Sequence, residues 1–198
     1  MKLVLASSNA GKLAELRELL SDSGLSLHAQ SEFGVSDAVE SGASFIENAL
    51  IKARHASAAT GLPALGDDSG LLVDALGGAP GLYSARYAGE HGDAPANNAL
   101  LLQRMAGVPA AERRAHFYCV LALLRSADDP QPIIAEGIWP GFILEAARGT
   151  QGFGYDPLFF DPAQQLGAAE MDPALKNRIS HRGQALASLR DRLRDAWR

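Results

Sequence analysis

Hydrophobic and polar positions change period several times along the chain, and each change marks an element. Residues 2–6 form an apolar run short enough for a buried strand, and a polar, glycine-containing turn at 7–11 leads into a helical pattern from 12 to about 20. A second helix is predicted over 44–59, where Phe45, Ala49, Lys52 and Ala56 recur at helical spacing. Ser44 followed by Glu47 supplies a capping box at its start. Residues 62–65 read as another buried strand, ending at Gly66-Asp67-Asp68-Ser69-Gly70. Gly77-Gly78-Ala79-Pro80-Gly81 must be a turn or loop, because neither helix nor strand tolerates that density of glycine and proline.

Further along, a helix is predicted over 94–105, and the apolar runs 116–124 and 133–139 read as an antiparallel pair joined by Ala127-Asp128-Asp129-Pro130. Residues 143–145 are read as an extension of that sheet, 150–156 as a glycine-rich aromatic segment, and 184–197 as a closing helix with its charges mostly on one side. Strands alternating with helices early, then strand pairs later, predict an α/β protein with a central mixed β-sheet, flanking helices and a cleft between two lobes. No internal repeat or linker interrupts it, so the 198 residues are read as a single two-lobed domain.

Charge and cysteine content narrow the classes. The formal charge is −5, with 23 acidic residues spread along the chain, which argues against binding to a nucleic acid backbone. An acidic protein still binds phosphate if a few cations converge. Cys119 is the only cysteine and lies in an apolar run, so neither a disulfide framework nor a thiolate zinc site is expected. The amino-terminal hydrophobic run is too short for a signal peptide or membrane span; a cytoplasmic protein with no membrane partner is expected.

Ser7-Ser8-Asn9-Ala10-Gly11-Lys12, between a strand and a helix, has the ingredients of a phosphate cradle: backbone N–H groups, a helix dipole, hydroxyls and a lysine. It is not a Walker A motif, since Ala6 stands where the first glycine belongs and Leu13 follows the lysine. An ordinary helix start capped by Asn9 is the competing reading. The adjacent carboxylates Asp67 and Asp68 repel unless a cation compensates them, and magnesium, with its hard oxygen ligands, fits. Side chains of neighbouring extended residues point to opposite faces, so at most one of the two meets the metal directly. A solvated turn is the alternative. Glu40 reads equally as a second metal carboxylate or a surface charge, and Lys52, on an otherwise apolar helix face, as a phosphate or acid partner or a snorkelling amine. Near the C-terminus, Phe153-Gly154-Tyr155-Asp156 and Lys176 combine aromatics, a carboxylate and donors, and Ser180-His181-Arg182-Gly183 adds more donors. An aromatic face stacks on a purine, and a donor at the 6-position bonds a keto oxygen but not an adenine amino group. Core packing of Phe153 and Tyr155 remains the alternative.

Taken in series, Leu5-Ala6-Ser7-Ser8-Asn9-Ala10-Gly11-Lys12, Ser44-Phe45-Ile46-Glu47-Asn48-Ala49, Asp67-Asp68-Ser69-Gly70-Leu71, Leu76-Gly77-Gly78-Ala79-Pro80-Gly81, Gly152-Phe153-Gly154-Tyr155-Asp156-Pro157 and Ser180-His181-Arg182-Gly183 resemble the inosine triphosphate pyrophosphatase family, in its bacterial XTP/dITP diphosphatase branch, over essentially the whole chain. The resemblance implies an ITPase-like fold and hydrolysis of ITP, dITP and XTP to monophosphate and pyrophosphate with Mg2+. It implies triphosphate binding by Ser7, Ser8, Asn9, Ala10, Gly11 and Lys12, with Asn9 and Lys12 as principal contacts; Lys52, from the reading of the residues themselves, is a further cation for the substrate's phosphates. Asp68 matches the family's catalytic base and a metal contact, Glu40 its other metal carboxylate, and Ser69 a substrate contact. Phe153, Gly154, Tyr155, Asp156, Lys176, His181 and Arg182 match residues that hold the nucleotide and recognise its base. A cytoplasmic homodimer is also implied. Ser7-Ser8 departs from the Thr-Gly of many relatives, and Ser8 lacks glycine's backbone freedom. A Maf-like pyrophosphatase is the nearest enzyme rival, although its usual Ser-Pro-Arg-Arg is absent here; a non-catalytic nucleotide-binding module is the rival from another class.

Overall fold

The computed structural model describes residues 2–20 and 24–196. Strand β1 (Lys2–Leu5) leads through a short loop into helix α1 (Ala10–Leu19), which returns to strand β2 (Ser26–Ala29) parallel to β1. Helix α2 (Phe45–Thr60) then feeds strand β3 (Ala64–Val73), again parallel to β1, with Val4 opposite Ala64. Helix α3 (Ala94–Arg104), the long strands β4 (Arg114–Leu124) and β5 (Ile133–Ile143), and the short strands β6 (Phe159–Asp161) and β7 (Leu166–Gly167) follow. Helices α4 (Pro173–Ile179) and α5 (His181–Ala196) close the chain. The strands hydrogen-bond in the order β2-β1-β3-β4-β5-β6-β7, and the β5–β6 and β6–β7 pairs are antiparallel. The expected α/β mixed sheet with helices is therefore present.

Two compact units share these elements. The first comprises the chain up to Asp68, Cys119–Gly137 and the segment from Arg182 onward; the second comprises Ser69–Tyr118 and Ile138–His181. In the first unit β1 is buried on both faces, as strands flanked by helices are. Leu3 and Leu5 join Leu16 of α1, Leu20 just after it, Leu121 of β4 and Leu186 and Leu189 of α5, whereas Val4 and Ala6 pack on Ala56 of α2. Truncating any one of these buried leucines would cost roughly 2–5 kcal/mol. The second unit has its own core of Leu71, Leu101, Met105, Phe117, Trp139, Phe159 and Met171. Its buried Trp139 donates Nε1–H to Asp161 at 2.8 Å, and buried Arg113 donates to the carbonyls of Ile143, Met105 and Leu144, so neither polar group is stranded.

Three expectations are corrected. Asp67-Asp68 does not end a strand: β3 runs through Gly66, both aspartates and Gly70 to Val73. Gly66, which read as part of a turn, is there for packing, since a Cβ on it would lie 2.0 Å from the Ala49 carbonyl oxygen, so β3 and α2 approach backbone to backbone. Second, residues 133–143 are one strand and not a strand with a separate extension. Third, the closing helix begins at His181, preceded by α4, whose Asp172 cap and Pro173 are an ordinary helix start that had not been read as one. The expected end at Trp197 lies outside the described residues.

Candidate functional site

Within the first unit, the loop after β1 is held by its own side chains. Ser7 Oγ accepts from the Asn9 amide at 3.1 Å, and Asn9 Oδ1 accepts from the Lys12 amide at 3.1 Å, so Asn9 is the N-cap of α1. The cap leaves the side-chain NH2 of Asn9 and the amides around Ala10 and Gly11 at a helix N-terminus, where partial positive charge accumulates. Ser8, exposed, donates to Asp37 at 2.6 Å, a partner that no local pattern announced.

Capping places Lys12 in the first turn of α1, and its ammonium reaches Asp67 at 2.6 Å. Asp67 is fully buried and also receives Arg182 Nε at 2.7 Å, while Arg182 Nη1 donates to Glu15 at 2.6 Å. Lys12, Asp67, Arg182 and Glu15 thus form a chain of alternating charge, whose two ends stand about one turn apart on α1. Burial on its own would raise the Asp67 carboxyl; the Arg182 guanidinium and Lys12 ammonium overturn that and hold it far below the usual carboxylate range. Arg182, 2% exposed, stays charged for the reciprocal reason. Cys119 Sγ lies 3.9 Å from Asp67, and burial pushes its thiol up, in keeping with an inert small hydrophobe. Glu15 and Asp37 escaped the sequence reading, although the three-residue spacing of Glu15 from Lys12 was a usable signal.

Asp68 faces a different set of partners, as alternation along a strand requires. Lys52 Nζ lies 2.6 Å from Asp68 and 2.9 Å from Glu40, so one ammonium bridges two carboxylates from separate segments. Burial raises the Asp68 carboxyl above its ordinary value despite the opposing pull of Lys52. Burial would lower Lys52, but Asp68 and Glu40 outweigh it and raise the ammonium. The close approach at Gly66 sets this geometry, because the residue it meets, Ala49, lies on the same helix as Lys52. Among the described residues no three His, Cys, Asp or Glu side chains converge as a ready-made metal cage. Two hard carboxylates already compensated by a cation are nevertheless a donor set that suits magnesium, which takes one or two carboxylates and completes its shell with water and substrate oxygens. Glu47, by contrast, caps its helix: it accepts from the Ala43 amide while Ser44 accepts from the Glu47 amide.

In the second unit, the glycine-rich loop is ordered by Asp156, buried, which accepts from the Phe153 amide and from Lys176 Nζ, each at 2.8 Å. Gly152 has φ 77°, and a Cβ there would meet the Asp156 carboxylate at 2.1 Å, so only glycine fits. The Lys176 ammonium also stands 5.2 Å from the Phe153 ring centroid, and that ring is 36% exposed. Tyr155 turns inward instead: it is buried and its hydroxyl donates to the Ser84 carbonyl at 2.9 Å, while burial raises its phenol. His181 is buried and stacks on Phe117 at 4.8 Å with planes 12° apart. Ser69 is half-buried at the boundary of β3's two segments.

These features define an α/β protein with a cation–carboxylate cluster in the unit built on its parallel strands and an aromatic–lysine cluster in the other. A family model described as the Ham1 family matches residues 3–192. The chain is 65% identical over 191 residues, 96% of each chain, to a dITP/XTP pyrophosphatase of Xanthomonas campestris pv. campestris, and 64% identical over 96% of each to one of Xanthomonas oryzae pv. oryzae. Among solved structures it is similar to a HAM1 protein from Coxiella burnetii, with TM-score 0.90 and 49% identity over 99% of this chain and 100% of that one. The chain belongs to the Ham1 family, and the resemblance read from its motifs is borne out.

Proposed function

We propose that this chain hydrolyses the non-standard purine nucleotides ITP, dITP and XTP to the monophosphate and pyrophosphate, with Mg2+ as cofactor. The observation that carries the reading is Lys52 shared between Glu40 and Asp68, beside a buried aspartate that anchors Lys12. The chemistry is attack of water on the α-phosphorus: a new P–O bond forms and the bond from that phosphorus to the α–β bridging oxygen breaks, releasing pyrophosphate. Asp68, its carboxyl raised above the ordinary value by burial, takes the proton of the attacking water. Lys12, Ser7, Ser8 and the amides of Asn9, Ala10 and Gly11 bind phosphate oxygens, and Ser69 adds a hydroxyl. Lys52 offsets the charge that builds on the departing pyrophosphate. Glu40 and Asp68 would hold the magnesium ion, which when bound neutralises phosphate charge. Phe153 stacks on the purine and Lys176 donates to a 6-keto oxygen, with Gly154, Tyr155 and Asp156 shaping that pocket. His181 and Arg182 support base recognition, and the two units are read as one pyrophosphatase domain.

A cytoplasmic homodimer is part of the same proposal; among the described residues no helix is long and apolar enough to cross a membrane. A product assay on purified protein tests the activity. With ITP, dITP, XTP, GTP and ATP and added Mg2+, pyrophosphate is expected, fastest from ITP, dITP and XTP. Release of orthophosphate would show that the β–γ bond is cut and would overturn the mechanism.

A further inference from the structure

Two consecutive asparagines on α3, Asn97 and Asn98, tie the second unit's loops together, and neither belongs to the clusters above. Asn97 is buried; its Oδ1 accepts from the Ala88 amide at 2.7 Å and its Nδ2 donates to the Ala85 carbonyl at 3.3 Å. It thereby fastens α3 to the turn that carries Ser84, whose carbonyl receives the Tyr155 hydroxyl. Asn98 reaches the loop directly, donating Nδ2–H to the Gly154 carbonyl at 3.0 Å. A carbonyl only accepts, so the orientation of the amide is fixed. Its Oδ1 is then buried and meets no hydrogen-bond partner among the described residues, a cost the fold bears to keep the donor aimed at Gly154.

That donor matters because Gly154 cannot hold itself. It sits at φ 62° with nothing within 4 Å of where a Cβ would be, so no side chain wedges the peptide joining Gly154 to Tyr155. Asp156 grips the loop from the other side through the Phe153 amide. Along the backbone the two grips, at the Phe153 amide and the Gly154 carbonyl, bracket the Cα that carries the Phe153 ring, over which Lys176 Nζ stands at 5.2 Å.

We propose that Asn98 is a positioning residue for the purine pocket: its bond to Gly154 fixes the loop so that the Phe153 ring is presented to the base at a set angle. The inference rests on the purine-triphosphate reading above and deepens it. Removing the donor frees the loop and leaves a carbonyl unpaired, which weakens nucleoside binding while the phosphate chemistry of the first unit is untouched.

The test compares wild type with Asn98→Ala and with Asn98→Asp, which keeps the shape but sets a carboxylate against the carbonyl. For Asn98→Ala, KM for ITP is expected to rise about 5-fold with kcat within about 2-fold, and Asn98→Asp to be at least as impaired. Inhibition by inorganic tripolyphosphate, which has no base, should not change. Amide hydrogen exchange at Phe153–Tyr155 should quicken in both variants. An unchanged KM with unchanged exchange, or a tripolyphosphate Ki that rises in step with KM, overturns the proposal. Exchange is read without turnover, so if wild type fails to cleave ITP the substrate reading falls while the hold of Asn98 on the loop is still decided.

Discussion

Asp67 and Asp68 are neighbours in sequence, yet their surroundings push their carboxyls in opposite directions. Asp67 meets two cations and is held ionised; Asp68 shares one ammonium with Glu40 and is raised. The difference predicts a split between stability and turnover. Asp67→Asn strips Lys12 and buried Arg182 of their shared counter-ion and should destabilise by about 3–5 kcal/mol in denaturant unfolding, the cost of breaking a buried pair on one side. Asp68→Asn replaces a carboxyl whose charge burial already disfavours, so stability should stay within about 1 kcal/mol while turnover falls at least about 100-fold. Equal stability losses in the two variants would show that the residues do the same job. Sequence alone supplied the alternation that separates them, but not the identity of their partners. Arg182 lies 115 positions from Asp67, and only the folded sheet brings it there.

Helix α2 and strand β3 show at the next scale what could be read and what could not. The cap at Ser44 and the helical spacing after it are local and legible in the sequence, whereas the left-handed Gly61 that ends the helix is a local signal the reading did not use. Gly66 carries no such signal, because a glycine beside Asp-Asp reads as a turn until a neighbouring backbone is known to press on it. Its lack of a side chain lets β3 lie against Ala49 and Ala53 and so sets Lys52 within reach of Asp68. Gly66→Ala therefore should destabilise by about 1–3 kcal/mol through overpacking and should also depress kcat, because the strand must move away from the helix that carries Lys52. Thermal unfolding and steady-state kinetics on the same preparation check both parts; a variant with wild-type kcat would show that the close approach serves packing alone.

The molecule as a whole carries a formal charge of −5 and acts, on the reading above, on a polyanion. Its long-range field opposes the encounter, so attraction has to come from cations at short range: Lys12, Lys52 and, on the proposed reading, a metal ion that Glu40 and Asp68 would hold. Lys12 and Lys52 are each already bound to carboxylates, which leaves the protein's own side chains with little uncompensated positive charge for a triphosphate. Removing divalent cations with a chelator should consequently weaken ITP binding, read as a raised Kd by calorimetry, as well as abolish turnover, and adding back Mg2+ should restore both. Ca2+, which favours more ligands and looser geometry, should restore binding more than turnover. Pyrophosphate release that persists in excess chelator would mean that the lysines alone carry the charge, and the two carboxylates would then need another explanation.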